Sequence, residues 1–252
     1  SSSILTNKLP IISPNQMVSG DCLCPPGDTD ANKVQLTFQL EGLYNPTLGV
    51  MSSALVANDF LTKEQPFANA TFNYFGEEQV EEFPTGTVDW LLLELRNTTD
   101  YSTVARQAVL LRADGKTINT KGESTIIFEA IFPDNYYLAV FHPAHIGILS
   151  RATTSNDLTQ TNTFQLNNPD SVRGTNQLKQ KGAAFVMVVG DTDQNGSINA
   201  ADYVQFIEKI GAKGYTPSDL DGSGLIELKE SELLKNNRSR MGYPKLFPQL
   251  KL

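Results

Sequence analysis

The chain has 252 residues, 40% of them hydrophobic and 19% charged, enough apolar material for a sizeable core in one or two domains. A net charge of −8 argues against nucleic acid or an anionic membrane as the main partner. No apolar run approaches the roughly 18–20 residues that a membrane-spanning helix requires.

The first residue is Ser1, with neither an initiator Met nor a signal-peptide pattern, so the chain reads as a processed product or an excerpt. Residues 1–32 are rich in Ser, Pro, Asn and Gly and read as an extended arm or linker. Its apolar patch at 9–12 could pack on the body or on a neighbour. The two cysteines, Cys22 and Cys24, lie too close in sequence for an unstrained bridge; they are free thiols, a strained pair, or bridged to another chain.

From residue 33 the pattern changes. Val34, Leu36, Phe38 and Leu40 alternate with Gln35, Thr37, Gln39 and Glu41, the period of a half-buried strand whose polar residues face water. Further strand-like runs follow at 50–55, 70–75, 88–96, 105–112, 124–131, 136–141 and 146–150, separated by turn clusters such as Ala113-Asp114-Gly115-Lys116. Short strands at this spacing predict an antiparallel β-sandwich over 33–150, with 88–96 as its central strand. The only Trp, Trp90, is expected in the core rather than as a sugar platform. His142 and His145, in His-Pro-Ala-His at a strand end, are expected to be structural; no third metal ligand accompanies them. Glu77-Glu78 and Glu81-Glu82 read as a solvated face rather than an acid pair for glycoside hydrolysis. Asp170-Ser171-Val172 is a weak signal for O-linked sugar.

Residues 151–182 are polar and read as a long connection, with a helical turn at 177–181. A strand at 185–189 then delivers the chain to two copies of a twelve-residue acidic loop. Oxygen donors stand at loop positions 1, 3, 5, 7, 9 and 12: Asp191, Asp193, Asn195, Ser197, Asn199 and Asp202 in the first copy, Asp219, Asp221, Ser223, Leu225, Glu227 and Glu230 in the second. Position 7 offers its carbonyl, so Leu225 serves there as well as Ser197. A hard cation such as Ca²⁺ takes six to eight oxygens, and this spacing wraps one loop around one ion. Gly196 and Gly224 at position 6 permit the sharp turn. Ile198 and Ile226 at position 8 are expected to tie the two loops together by a short strand pairing. The cofactor expected is two Ca²⁺, which would bring −8 to −4. Weak sites of this kind fill where Ca²⁺ is millimolar, so the expected location is extracellular.

Tyr203, Phe206, Ile207 and Ile210 lie on one face of a helix stopped by Gly211. Leu233, Leu234 and Met241 suggest a second, ended by Pro244, and the tail 244–252 could add a strand. Loop then helix, twice, with no helix entering the first loop, departs from the ordinary EF-hand.

At these residues the chain resembles a type I dockerin over about 190–242, which implies a small α-helical domain of paired loop–helix calcium units at 183–243. Dockerins often carry Ser-Thr at loop positions 10 and 11 to grip a cohesin. Here those positions hold Ala200-Ala201 and Leu228-Lys229. The stretches 40–44, 49–51, 88–96, 110–115 and 136–145 are similar to a β-module at the C-terminal ends of large secreted bacterial surface proteins. That resemblance implies a non-catalytic structural or adhesive module whose partners are other protein chains, through self-assembly or a parent surface protein. A carbohydrate- or cohesin-binding module of a secreted enzyme complex is the alternative.

Overall fold

The computed structural model describes residues 31–247. Nearly all of the expected arm, both cysteines and the end of the tail therefore lie outside the described residues. The fold is mainly β. Its elements are β1 (Ala31–Thr37), β2 (Tyr44–Asn45), β3 (Val50–Met51), α1 (Ala54–Ala57), β4 (Thr87–Asn97), β5 (Thr103–Arg112), β6 (Thr117–Ile118), β7 (Ile126–Glu129) and β8 (Tyr136–His142). They continue with β9 (His145–Thr153), β10 (Thr161–Gln165), β11 (Leu178–Lys181), β12 (Ala184–Met187), α2 (Ala200–Lys209) and α3 (Ser231–Asn237).

A five-stranded antiparallel sheet, in the order β6-β5-β4-β8-β9, forms the centre. β4 is buried from Thr87 to Leu95, as its nearly unbroken apolar run demands of a strand covered on both faces. Leu91, Leu93 and Leu95 point to one side, into a cluster with Val34, Leu36, Ile126, Phe128 and Phe164 of a second sheet, β10-β1-β7. That packing is the sandwich. Trp90 and Leu92 point to the other side, under Leu55, Leu61, Phe67, Phe72 and Val80 of the irregular segment 54–83. Trp90 is fully buried, and its Nε1 donates to the Thr62 carbonyl at 2.8 Å. Its emission is expected to be blue-shifted and resistant to acrylamide, and to move red only on global unfolding; an exposed-type spectrum in native buffer would contradict this packing.

Several expectations need correction. The run at 50–55 is a two-residue strand followed by the single turn α1, and 70–75 forms turns that roof the sheet. The stretch 151–182 is no mere connection. β10 lies within it and pairs parallel to β1, so the sandwich is not wholly antiparallel. Only Phe164 of β10 is buried, which leaves an edge strand without apolar alternation to announce it. Residues 177–181 hold β11 rather than a helical turn, because a tight turn at 182–183 folds it back antiparallel onto β12. Glu41, placed on the wet side by its alternation, is buried instead. α3 ends at Asn237, so Met241 is not on it; Met241 bridges to Ser197. Leu246 and Phe247 pack into the Trp90-side cluster as a turn, not as a strand.

The last third of the chain shares a third cluster with the β8–β9 corner. Val188, Val189, Ile198, Phe206, Leu220, Ile226 and Leu234 surround Ala144 and Ile146. Each such buried side chain contributes about 1.5–3 kcal/mol relative to exposure, so this seam is a substantial interface.

Candidate metal centre

β12 leads directly into the first loop, and each loop runs into a helical segment. The two loops have the same burial at each of their first eight positions, alternating inward and outward from position 2. The position-6 glycines adopt φ +84 at Gly196 and φ +78 at Gly224, and each donates its N–H to the carboxylate at position 1 (3.0 Å to Asp191 Oδ2, 2.7 Å to Asp219 Oδ2).

Carboxylates from positions 1, 3 and 12 converge. Asp191, Asp193 and Asp202 bring one oxygen each within 4.8 Å of one another, and so do Asp219, Asp221 and Glu230. Backbone donors hold the position-12 groups in place. Asp202 accepts from Thr192 N at 2.8 Å and Asn199 N at 2.9 Å; Glu230 accepts from Leu220 N and Glu227 N, each at 2.6 Å. Asn195 Oδ1 accepts from Ser197 N, and Ser223 Oγ from Leu225 N, which turns the carbonyl-bearing position-7 residues within the same loops. The position-9 residues are otherwise engaged: Asn199 Oδ1 caps α2 at Ala201 N, and Glu227 pairs with Lys229. Contact with an ion from these two would run through water.

The donor set fits a divalent cation. Asp191 is wholly buried, and its Oδ1 has no hydrogen-bond partner. Burial first, then the neighbouring Asp202 and Asp193, push the Asp191 carboxyl well above the usual carboxylate range. Burial likewise raises Asp202, Glu230 and Asp219, the last to about 7 from 3.8. Lys229 Nζ, 3.3 Å from Asp221 Oδ2 and exposed, offsets the second group only in part; grouped carboxylates are costly to bury, and a hard cation relieves them. The sign follows. Between pH ~4 and 7 the metal-free folded protein binds more protons at Asp219 than the unfolded chain, so this group's contribution to stability falls as pH rises through that window. Metal must displace that proton. Its apparent affinity for the second loop is expected to rise about tenfold between pH 6 and 8, with proton release, checked by calorimetry in buffers of different ionisation enthalpy. A pH-independent affinity would contradict it.

The expected pairing of the two loops does not occur. Ile198 N donates to Arg240 O and accepts Ser239 N at its own carbonyl, while Ile226 N donates to Ala212 O and its carbonyl accepts Gly211 N. Each loop therefore pairs with the chain that leaves the other loop's helix. Both isoleucines still enter one apolar cluster, as their position demands.

Gln194 stands outside the donor pattern of the first loop. At position 4 it adopts φ +56, and its Nε2 reaches the carbonyls of Pro143 (3.2 Å), His145 (3.0 Å) and Asp191 (2.5 Å), which fastens the first loop to the β8–β9 corner. The signal was Gly222 at the same position of the second loop, also left-handed.

The histidines are buried and structural. His142 Nε2 meets Asp89 Oδ2 at 2.9 Å, the two Nδ1 atoms stand 2.8 Å apart, and His145 Nε2 meets the Glu41 carbonyl at 3.0 Å. A carbonyl only accepts, so His145 Nε2 carries a proton. His142 Nδ1 also accepts from the Ala144 N–H at 3.1 Å. Burial and the adjacent His142 hold the His145 ring well below the ordinary range. Asp89 also accepts from Tyr215 Oη at 2.8 Å, tying the segment before the second loop to β4. Of the glutamates read as solvated, Glu81 and Glu82 are exposed, while Glu78 accepts from Ala108 N at 3.1 Å. Ser171 Oγ donates to the Asn168 carbonyl.

No family model matches the chain, and no curated protein does. Among solved structures, two interface mutants of a type II cohesin–X–dockerin complex from Acetivibrio cellulolyticus are similar to it. They share 13% and 12% identity, with TM-scores of 0.42 and 0.39, and the matches cover 84% of this chain and 97% of each of those chains. At such identities this chain's own residues must carry its reading.

Proposed function

We propose that this chain is a non-catalytic, calcium-locked module of an extracellular surface protein. Asp191, Asp193, Asn195, Ser197 and Asp202 would hold one Ca²⁺, and Asp219, Asp221, Ser223, Leu225 and Glu230 a second, with Asn199 and Glu227 reaching the ions through water. The observation that carries this reading is the pair of carboxylate triads, buried at positions 1 and 12 and half-buried at position 3, each closed around a position-1 aspartate. Strand, loop, helix, connection, loop, helix is also the order expected of a dockerin-like unit. When bound, the ion supplies positive charge that relieves the clustered carboxylates. The chain's own residues do the rest: Gln194, Tyr215 and Asn237 fasten the loops and α3 to the β body, so that order in the loops is transmitted to the seam. Equilibrium dialysis with metal quantification is expected to give two Ca²⁺ per chain at millimolar calcium, and one after Asp191→Asn; retention of none would end the proposal.

A second reading, a protein-binding module of a larger assembly, is favoured by the outer face of α2. Phe206 turns inward, while Tyr203, Val204, Ile207 and Ile210 stay between 37% and 54% exposed. Exposed apolar side chains gathered on one helix face mark protein contact surfaces. Binding of an isolated cohesin that is lost on Ile207→Glu would support this reading; saturating cohesin without binding would remove it.

A further inference from the structure

Three segments far apart in sequence meet at one polar knot, of which the calcium reading uses only the hold of Asn237 on the β body. Lys179 on β11 places Nζ 2.9 Å from Glu41 Oε1 and 3.0 Å from Asn237 Oδ1. Asn237, the last residue of α3, donates from Nδ2 to Glu41 Oε2 at 2.6 Å and to the Val189 carbonyl at 2.8 Å. Glu41 and Asn237 are buried, and the Lys179 side chain is 28% exposed. The amide orientation follows from its partners. Two acceptors fix the NH₂ end, so the carbonyl end faces the amine.

We propose that Lys179 and Asn237 form an intramolecular isopeptide bond, with Glu41 as the proton carrier. Each requirement of that reaction is met by a contact above. An amine nucleophile needs a base within hydrogen-bond reach, and Glu41 Oε1 is there to take one proton from the Lys179 ammonium. The freed lone pair attacks Cγ of Asn237, the carbon bearing the Oδ1 that stands 3.0 Å from Nζ, so the two groups are already held side by side. The leaving nitrogen needs a proton, and Glu41 Oε2 lies against it. As the new C–N bond forms and the Cγ–Nδ2 bond breaks, a second proton passes from the former amine to Nδ2 by way of the carboxyl. Ammonia leaves, and Glu41 gives up its remaining proton to it or to water. Nothing is oxidised or reduced, and no co-reactant is consumed. The product fixes β11 covalently to the end of α3, across the seam between the β body and the calcium loops, and it does so whether or not those loops hold metal.

Intact-mass spectrometry of the full chain under denaturing conditions tests this. The expected mass is lower than the sequence mass by one ammonia, and digestion should yield a branched peptide joining Lys179 to Asn237. Lys179→Arg keeps the charge and cannot form the bond, so it should show the full mass of its sequence. Asn237→Asp should lose water instead of ammonia, and Glu41→Gln should remain unlinked. A full-mass wild-type chain would overturn the proposal, leaving the knot as hydrogen bonds alone. So would a deficit that survives Lys179→Arg, which would trace instead to cyclisation at Asn195-Gly196. Full linkage in Glu41→Gln would overturn the role given to the carboxylate.

Discussion

Removal of divalent metal is expected to lower the melting temperature by about 10–20 °C. An ion that binds only the folded loops adds RT ln(1 + [Ca²⁺]/Kd), about 2.7 kcal/mol per site at a hundredfold excess over Kd, so two sites supply about 5 kcal/mol. A chain of this size shifts by roughly 2–4 °C for each kcal/mol. The loops share their apolar cluster with Ala144 and Ile146, and Asn237 is bonded to Val189 and Glu41. Loosening of the loops should therefore pull on the body, and the fall should appear in Trp90 fluorescence as well as in the loops. Scanning calorimetry with chelator and then with calcium restored is the measurement. Superimposable scans would remove the calcium lock from the reading. Asp219→Asn alone should remove about half of the shift.

Gly42→Ala should cost about 2–5 kcal/mol and weaken calcium at the second loop. Gly42 has φ +87, a conformation that costs a side chain roughly 1–2 kcal/mol. A Cβ there would stand 1.9 Å from the Leu220 carbonyl oxygen and 3.0 Å from its carbon. This is backbone, which cannot swing aside as a side-chain tip would, so overpacking adds about 1–3 kcal/mol. Leu220 is position 2 of the second loop, and its N–H is the donor that holds Glu230. Pushing it away should displace a ligand. Gly49→Ala is the control: its φ is +73, yet nothing lies within 4 Å of the added atom, so only the conformational part should appear. Denaturant melts of both variants, with and without calcium, separate the two contributions. Equal losses would mean that the close approach at Leu220 is soft.

The loops were legible because their chemistry is local. Donor spacing and Gly196 and Gly224 dictate the turn from within twelve residues, and β4 was legible because burial on both faces writes itself as a nearly unbroken apolar run. What stayed hidden depends on distant partners. Glu41 looked like one more wet residue of an alternating strand, and distant partners, Lys179, Asn237 and the Val189 N–H, explain its burial. β10 carries one inward side chain and owes its existence to β1. Segment 54–83 has no regular period because it is shaped by the sheet it covers. Gln194 looked incidental until its three carbonyl acceptors were in place.

The exchange of partners between the two loops has a consequence for how the motif can be divided. Ile198 rests on residues that follow α3, and Ile226 on residues that follow α2. Cut between them, each half forfeits the edge against which its own turn is braced. The repeat is thus a duplication in sequence but a single indivisible knot in space, and an ion held on one side would steady the wall of the other.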